Sequence, residues 1–329
     1  MEHKVLLIYG RTNKHLGLWD DLQSDSRVIL RIAELQQLTW LKRLLYKFVI
    51  LFEHYVTELT CKHFFYQYSD IFELVPYVNH VVIIDGALNK INICELEKCR
   101  RLNRRAEISL YLINSMEAQS PIMRGVRPKI GKFKWDNIFT FDEEDAKKYG
   151  YQHLGFNYYS THKITSSFSN IAHSDVFFVG GIKGGRTNFI YDLYHFLISK
   201  NVICDFYLMP YKNMTVEELP GIYYYRGWRP YNDILEHVHQ TNCIIEIMQE
   251  GQVGASLRYF EAVCMNKKLL TNNPYITNFP FYNSKWMRIV SSLEDIDIKW
   301  IRKEEKVEYG YKDEFSPTYL INFLINRKK

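Results

Sequence analysis

The stretch CIIEIMQEGQVGASLRYFEAVCMNKKLLTNN, residues 243–273, reads as one complete structural unit. CIIEIM has the length and apolar content of a buried strand. The polar loop QEGQVGAS follows, then LRYFEAVCM with helical spacing, then a short apolar run after two lysines. Ser256 stands where an N-cap belongs, because its hydroxyl can accept from the helix's first free N–H groups. Strand, helix and strand in this order make two parallel strands with a helix over one face. Arg258 and Glu261 fall in the first turns of the helix, three residues apart and on one face. Beside a phosphate, such an Arg can pair with a diphosphate while the Glu accepts from ribose hydroxyls. The plainer alternative is an Arg–Glu ion pair on the helix surface.

The same alternation extends in both directions. Toward the N-terminus, Lys4–Tyr9, Phe48–Phe52, His80–Ile84, Ser109–Ile113 and Asn137–Phe141 read as strands. Between them Asp25–Leu45, Cys61–Leu74 and Ile93–Arg105 read as helices. DEEDAKKYG (142–150) has an acidic first turn, lysines in its last turn and a closing glycine, the order the helix dipole favours. Gln152–Ser174 loses periodicity and becomes rich in Ser, Thr and Asn, as a linker would. A second series follows, with strands at Asp175–Val179, Cys204–Leu208, Gly221–Tyr225, Cys243–Met248, Lys268–Thr271 and Met287–Val290. Helices Asn188–Ser199, Asn232–Thr241 and Leu257–Met265 interleave with them, and Thr318–Lys329 reads as a terminal amphipathic helix.

Alternating strands and helices imply parallel sheets covered on both faces. The expected fold is therefore α/β: two Rossmann-like parallel-sheet domains facing a central cleft. A C-terminal helix is expected to cross back to the first domain. The expected boundaries are 1–165, 170–310 and 311–329. Ligands of such sheets bind outside the carboxyl ends of the strands.

One such end is DVFFVGGIKGGRTNFI (175–190), which misses the Walker A pattern by one residue, Arg186 standing where the lysine belongs. Arg is bulkier and forked, and the two are not interchangeable at a tight site. The apolar strand ending in a metal-holding Asp is also missing downstream; VVIID, ending at Asp85, lies upstream. Two readings remain. Backbone N–H groups at a helix start, with Lys183 and Arg186 beside them, suit an anion; otherwise the stretch is a tight turn with solvent-facing cations.

The chain has 329 residues, 47% hydrophobic and 24% charged, which describes a globular protein large enough for two cores. Its 25 Tyr and 20 Phe suit aromatic-rich cores, and could also stack on sugars or bases. The net charge of +5 is unevenly placed, with ten basic residues between Lys98 and Lys134 against Glu107 and Glu117. A patch like that suits an anionic surface such as the inner membrane. The six cysteines show neither CxxC nor zinc spacing, so free buried thiols in a reducing compartment are expected. The N-terminal VLLIYG is too short for a signal-peptide core, and no run approaches the roughly 18–20 apolar residues of a membrane span. The expected location is the cytoplasm, peripheral on the cytoplasmic face of the membrane. No motif interleaves basic and aromatic residues for nucleic acid, so none is expected as a partner.

These segments together resemble the bacterial GT-B glycosyltransferases that build lipopolysaccharide and capsular polysaccharide. WDNIFTFDEEDAKKYG (135–150) is similar to that group's segment closing the first domain, and DVFFVGG…R (175–186) to the strand and loop opening the second. YRGWRPYNDILEHVHQTNCIIEI (225–247) and GQVGASLRYFEAVCMNKKLLTNN (251–273) complete the likeness, which spans 135–273 and covers the first 130 residues only in outline. The resemblance implies a transferase that moves sugar from a nucleotide-diphosphate donor, held by the second domain, to a lipid-linked or oligosaccharide acceptor. It gives Glu261 the ribose, and Gly181, Lys183, Arg186, Arg258 and the loop with Gln252, Gly254 and Ser256 the diphosphate. Trp228 and Tyr231, in GWRPY, fall where the base is held. Many retaining members carry two glutamates separated by seven residues; here Glu246 and Glu250 precede Glu261 by fifteen and eleven, which leaves stereochemistry open.

Glycosyl transfer needs the departing diphosphate's charge stabilised and, on inversion, a base for the acceptor hydroxyl. Arg186, Lys183 and Arg258 are candidates for the first. No metal-binding aspartate pair is present, so no metal or other cofactor is expected. Asp20 is the leading candidate base, ahead of His54 and Asp85, because the loop GRTNKHLGLWDD (10–21) follows the first strand and brings Trp19, able to stack on sugar. Two other functions stay open: a nucleotide-sugar epimerase of the same architecture, and a non-catalytic module binding nucleotides or anionic polymers.

Overall fold

A computed structural model describes residues 4–11, 13, 16–33, 40, 44, 69–117, 121–160, 171–211, 214–227, 229–249 and 251–327. The chain divides into two compact units, Met1–Ser160 with Ser316–Lys329, and Thr161–Phe315.

In the first unit six described strands are all parallel: β1 (Val5–Tyr9), β2 (Val28–Ile32), β3 (His80–Ile84), β4 (Glu107–Leu112), β5 (Asn137–Thr140) and β6 (Gln152–His153). Their order is β2-β1-β3-β4-β5-β6. VLLIY and HVVII are apolar at nearly every position because a parallel sheet is covered on both faces. The covering helices are α1 (Ser69–Leu74), α2 (Asp85–Leu88), α3 (Ile93–Leu102), α4 (Pro121–Ile130) and α5 (Glu143–Tyr149). α3 starts on a capping box in which Asn92 and Glu95 exchange side-chain and backbone bonds. α5 starts on Asp142, which accepts from the Glu144 and Asp145 amides.

Several expectations change here. Val28–Ile32, read as part of a helix, is an edge strand paired with β1, in keeping with its β-branched Val28, Ile29 and Ile32. Trp19, read as a sugar-stacking platform, is buried edge-on to Tyr111 with ring centroids 6.3 Å apart. Lys129 does not belong to a solvated patch: it is buried and donates to the Leu88 and Ile91 carbonyls at 3.0 and 2.7 Å. Arg100 pairs with Asp136 at 2.7 Å, whereas Arg101, Arg104 and Arg105 are exposed. Cys99, Cys204, Cys243 and Cys264 are free thiols, but Cys94 is disulfide-bonded; pairing depends on where the fold brings two sulfurs, which spacing alone does not reveal. The strand expected at Phe48–Phe52 and the helix at Cys61–Leu74 up to residue 68 lie outside the described residues. Among the described residues no helix is long and apolar enough to cross a membrane.

The second unit contains β7 (Ser174–Ile182), β8 (Cys204–Pro210), β9 (Ile222–Tyr224), β10 (Thr241–Glu246), β11 (Lys268–Thr271) and β12 (Met287–Ile289). They too are parallel, in the order β12-β11-β10-β7-β8-β9. Its helices are α6 (Gly185–Ser199), α7 (Tyr231–Gln240), α8 (Leu257–Cys264) and α9 (Ile298–Arg302). Chain order runs outward from β7 in one direction and from β10 in the other, so the topological switch point lies between these two central strands. Ligands of doubly wound sheets bind at that point, outside the carboxyl ends.

The chain closes with α10 (Pro317–Asn326), which belongs to the first unit. Its N-cap Ser316 donates to Asp21 at 2.8 Å, Asn322 accepts from Arg27 at 2.8 Å, and Arg327 donates to Asn137.

Candidate functional site

The carboxyl ends of β7 and β10 bring together the two segments singled out in the sequence. Less of the glycine cluster is loop than expected. Gly180 and Gly181 lie within β7, paired with Leu208 and Met209, and only Lys183 and Gly184 separate the strand from α6. Gly184 has φ +60°, a conformation glycine adopts without strain, and as N-cap of α6 it offers no side-chain acceptor, while the Thr187 amide bonds the Gly184 carbonyl at 3.0 Å. The amides of Gly185 and Arg186 are the donors an anion would use.

Arg186 leaves the first turn of α6 and folds back over β7. Its guanidinium carbon lies 5.5 Å from the centroid of the Phe178 ring, and a Cβ on Gly180 would stand 2.8 Å from its Nη2. Glycine at 180 is therefore what lets the guanidinium lie on the strand. Burial lowers the Arg186 pKa to about 10, opposed by the attraction of Glu246 and reinforced by the repulsion of Arg258. Arg186 Nε is buried with no hydrogen-bond partner among the described residues. The Lys183 ammonium is exposed, 5.3 Å from the Tyr211 ring centroid.

From the β10 side, Ser256 caps α8 and accepts from the Arg258 amide at 3.1 Å, as its position in the sequence implied. The same hydroxyl donates to Glu246, so it is already engaged within the protein. Arg258 Nη1 lies 2.5 Å from Glu261 Oε2, an ion pair that is almost wholly buried rather than on the helix surface. Among the described residues neither atom has a hydrogen-bond partner beyond this ion pair. Tyr231, the first residue of α7, donates its hydroxyl to Glu261 Oε1 at 2.8 Å. Burial raises the Glu261 carboxyl to about 7; Arg258 and the Tyr231 hydroxyl pull it down, while the charge of Glu246 pushes it up. Gln252 and Gly254 sit in the turn between Glu246 and α8, where the Gln252 amide bonds the Gln249 carbonyl at 3.1 Å. Trp228 lies outside the described residues.

Glu246, a lone carboxylate in the apolar run CIIEI, was given no task from the sequence. It proves to be the buried hub of the site, and the charge within an apolar strand was the available signal. The first-unit candidates stand differently. Asp20 is exposed and accepts from Gln23 Nε2 at 2.8 Å. Asp85 is buried and fully occupied, accepting from the amides of Gly86, Ile113 and Asn114 and from Asn114 Nδ2. It acts as a loop anchor, not as an available base. His54 lies outside the described residues. Among the described residues no group of three or more His, Cys, Asp or Glu is placed to hold a metal.

The sequence matches no protein-family model and no curated protein. Solved structures do match. One is an alpha-glucosyltransferase in complex with UDP-glucose and DNA containing an abasic site, with TM-score 0.51, 9% identity and coverage of 84% of this chain and 82% of that one. Another is UDP-N-acetylglucosamine 2-epimerase from Rickettsia bellii, with TM-score 0.51, 11% identity and coverage of 99% and 96%. At such identities the likeness is one of fold. The chain has the GT-B architecture, built from two Rossmann-like parallel-sheet domains.

Proposed function

We propose that the chain is a Leloir-type glycosyltransferase that moves a sugar from a nucleotide diphosphate to a lipid-linked or polysaccharide acceptor in bacterial surface glycan assembly. One observation carries this reading: two largely buried guanidinium groups, Arg186 at the glycine start of α6 and Arg258 at the start of α8, stand at the switch point, with the carboxylate of Glu261 held between Arg258 and Tyr231. Two guanidinium groups and a helix start suit a diphosphate that gains charge as it leaves. Glu261, whose two oxygens face Tyr231 and Arg258, suits a ribose hydroxyl once Arg258 turns to the diphosphate. Gly181, Lys183, Gln252, Gly254 and Ser256 form the rim of the donor site, and Trp228 belongs to the base. Asp20 is the proposed base. The exposed arginines of α3 and the residues after it are the proposed contact with an anionic membrane surface.

Both similar structures name uridine diphosphate sugars, so UDP-sugars lead the test panel, followed by GDP-, dTDP- and CMP-sugars. The expected result is slow hydrolysis of one donor, lost in Glu261→Ala and Arg258→Ala and retained with a metal chelator. No hydrolysis and no binding across the panel refutes the proposal, and chelator inhibition refutes metal independence. The second reading, a nucleotide-sugar epimerase, draws on the near-complete mutual coverage with the Rickettsia bellii epimerase. Epimerised donor appearing without any acceptor would favour it.

A further inference from the structure

Glu246 ends β10 at the switch point with 1% of its surface exposed. Burial raises its carboxyl above the usual range, and two hydroxyl bonds together with Arg258 oppose that rise. Ser256 Oγ donates to Oε1, and Thr271 Oγ1 to Oε2 at 2.5 Å. The contacts radiate from there. Ser256 caps α8, and Thr271 Oγ1 accepts from the Asn273 amide at 3.0 Å. Asn273 Nδ2 then holds the Val253 carbonyl at 3.2 Å, and Asn272 Oδ1 holds the Met248 amide at 2.8 Å. One carboxylate thus ties the end of β11, the start of α8 and the loop between Met248 and Ser256. Its charge also attracts Arg186.

We propose that Glu246 is the positioning residue of the anion site: through Ser256 it aims the start of α8, and with it Arg258, at the phosphates without touching them. It has this task only if the nucleotide-diphosphate reading holds. Two physical effects of Glu246 differ in sign. As a bare charge beside an anion it repels the ligand, so neutralising it should tighten binding. As a positioning group it aids the ligand, so neutralising it should weaken binding.

Calorimetric titration of the full chain and Glu246→Gln with UDP, inorganic pyrophosphate and uridine separates these. Glutamine keeps the size and still bonds both hydroxyls after they rotate, so the change is chiefly one of charge. The expected result is Kd for UDP and pyrophosphate raised about tenfold, the effect of one weakened bond to a charged group, with uridine unchanged. Ser256→Ala should reproduce the loss, and the double variant should be little worse than either single one. Unchanged or tighter UDP binding in Glu246→Gln, with wild type binding UDP, overturns this inference alone. If Glu246→Gln does not fold, Ser256→Ala decides, and unaltered UDP affinity there overturns it. A wild-type chain that binds neither UDP nor pyrophosphate overturns the donor reading and this inference with it.

Discussion

Replacing Glu261 by glutamine removes a group that the fold holds far from its ordinary range. An unfolded Glu titrates near 4.5, and burial in the second unit brings Glu261 to about 7. The folded chain therefore binds this proton more tightly than the unfolded one. The associated stability is fully present below pH 4.5 and is lost as pH rises through 7. Between pH 5 and pH 8 the two pKa values imply a loss of roughly 2–3 kcal/mol from this group. In a unit of this size 1 kcal/mol moves Tm by roughly 2–4 °C. The wild-type Tm minus that of Glu261→Gln should thus fall by about 5–10 °C from pH 5 to pH 8. Arg258, left without its partner in the variant, contributes a constant offset because a guanidinium stays charged throughout this range. Differential scanning calorimetry at four pH values measures the difference directly. A difference that stays flat within about 1 °C refutes the placement of Glu261 as a buried, titrating carboxyl.

Gly180→Ala puts a methyl group 2.8 Å from Arg186 Nη2 and 3.1 Å from the Phe178 ring, so it should displace the guanidinium and weaken nucleotide binding about tenfold while the chain still folds; unchanged affinity would show that Arg186 need not lie on β7. Asp20→Asn should abolish transfer to acceptor while leaving donor binding intact, and full activity in a transfer assay removes Asp20 as the base. Reversing the exposed Arg101, Arg104 and Arg105 to Glu should reduce binding to anionic-lipid vesicles at least tenfold, since each basic residue near such a surface contributes about 1 kcal/mol. Equal sedimentation of variant and parent with vesicles contradicts a membrane role for this patch.

The second unit was the more legible half because its strands are uninterrupted apolar runs bounded by clear turns. Lys268–Thr271 was delimited as the fold has it, and Ser256 was recognised as a cap from its place before an apolar helix. Val28–Ile32 was hidden because Asp, Arg and Glu around it also suit a helix, and an edge strand with half-buried faces gives a weak period-two signal. Trp19 misled because a polar loop suggests exposure, whereas only the fold places Tyr111 beneath the ring. Lys129 looked like part of a charged face, but two carbonyls from elsewhere in the chain hold its ammonium inside. At the site, local sequence disclosed Arg258 and Glu261 as neighbours one helical turn apart. It did not disclose Glu246 as their organiser, because Ser256 and Thr271 reach that carboxylate from ten and twenty-five residues away.

The switch point of the second unit is the proposed seat of a nucleotide sugar's diphosphate. The most direct measurement is a thermal-shift screen of nucleotide sugars against wild type and Arg258→Ala, with the corresponding free sugars as controls. A ligand that binds only the folded chain raises its melting temperature, by an amount set by concentration relative to Kd. A rise is expected with at least one nucleotide sugar, none with its free sugar, and none in the variant. No shift with any nucleotide sugar, or the same shift in Arg258→Ala, would contradict it.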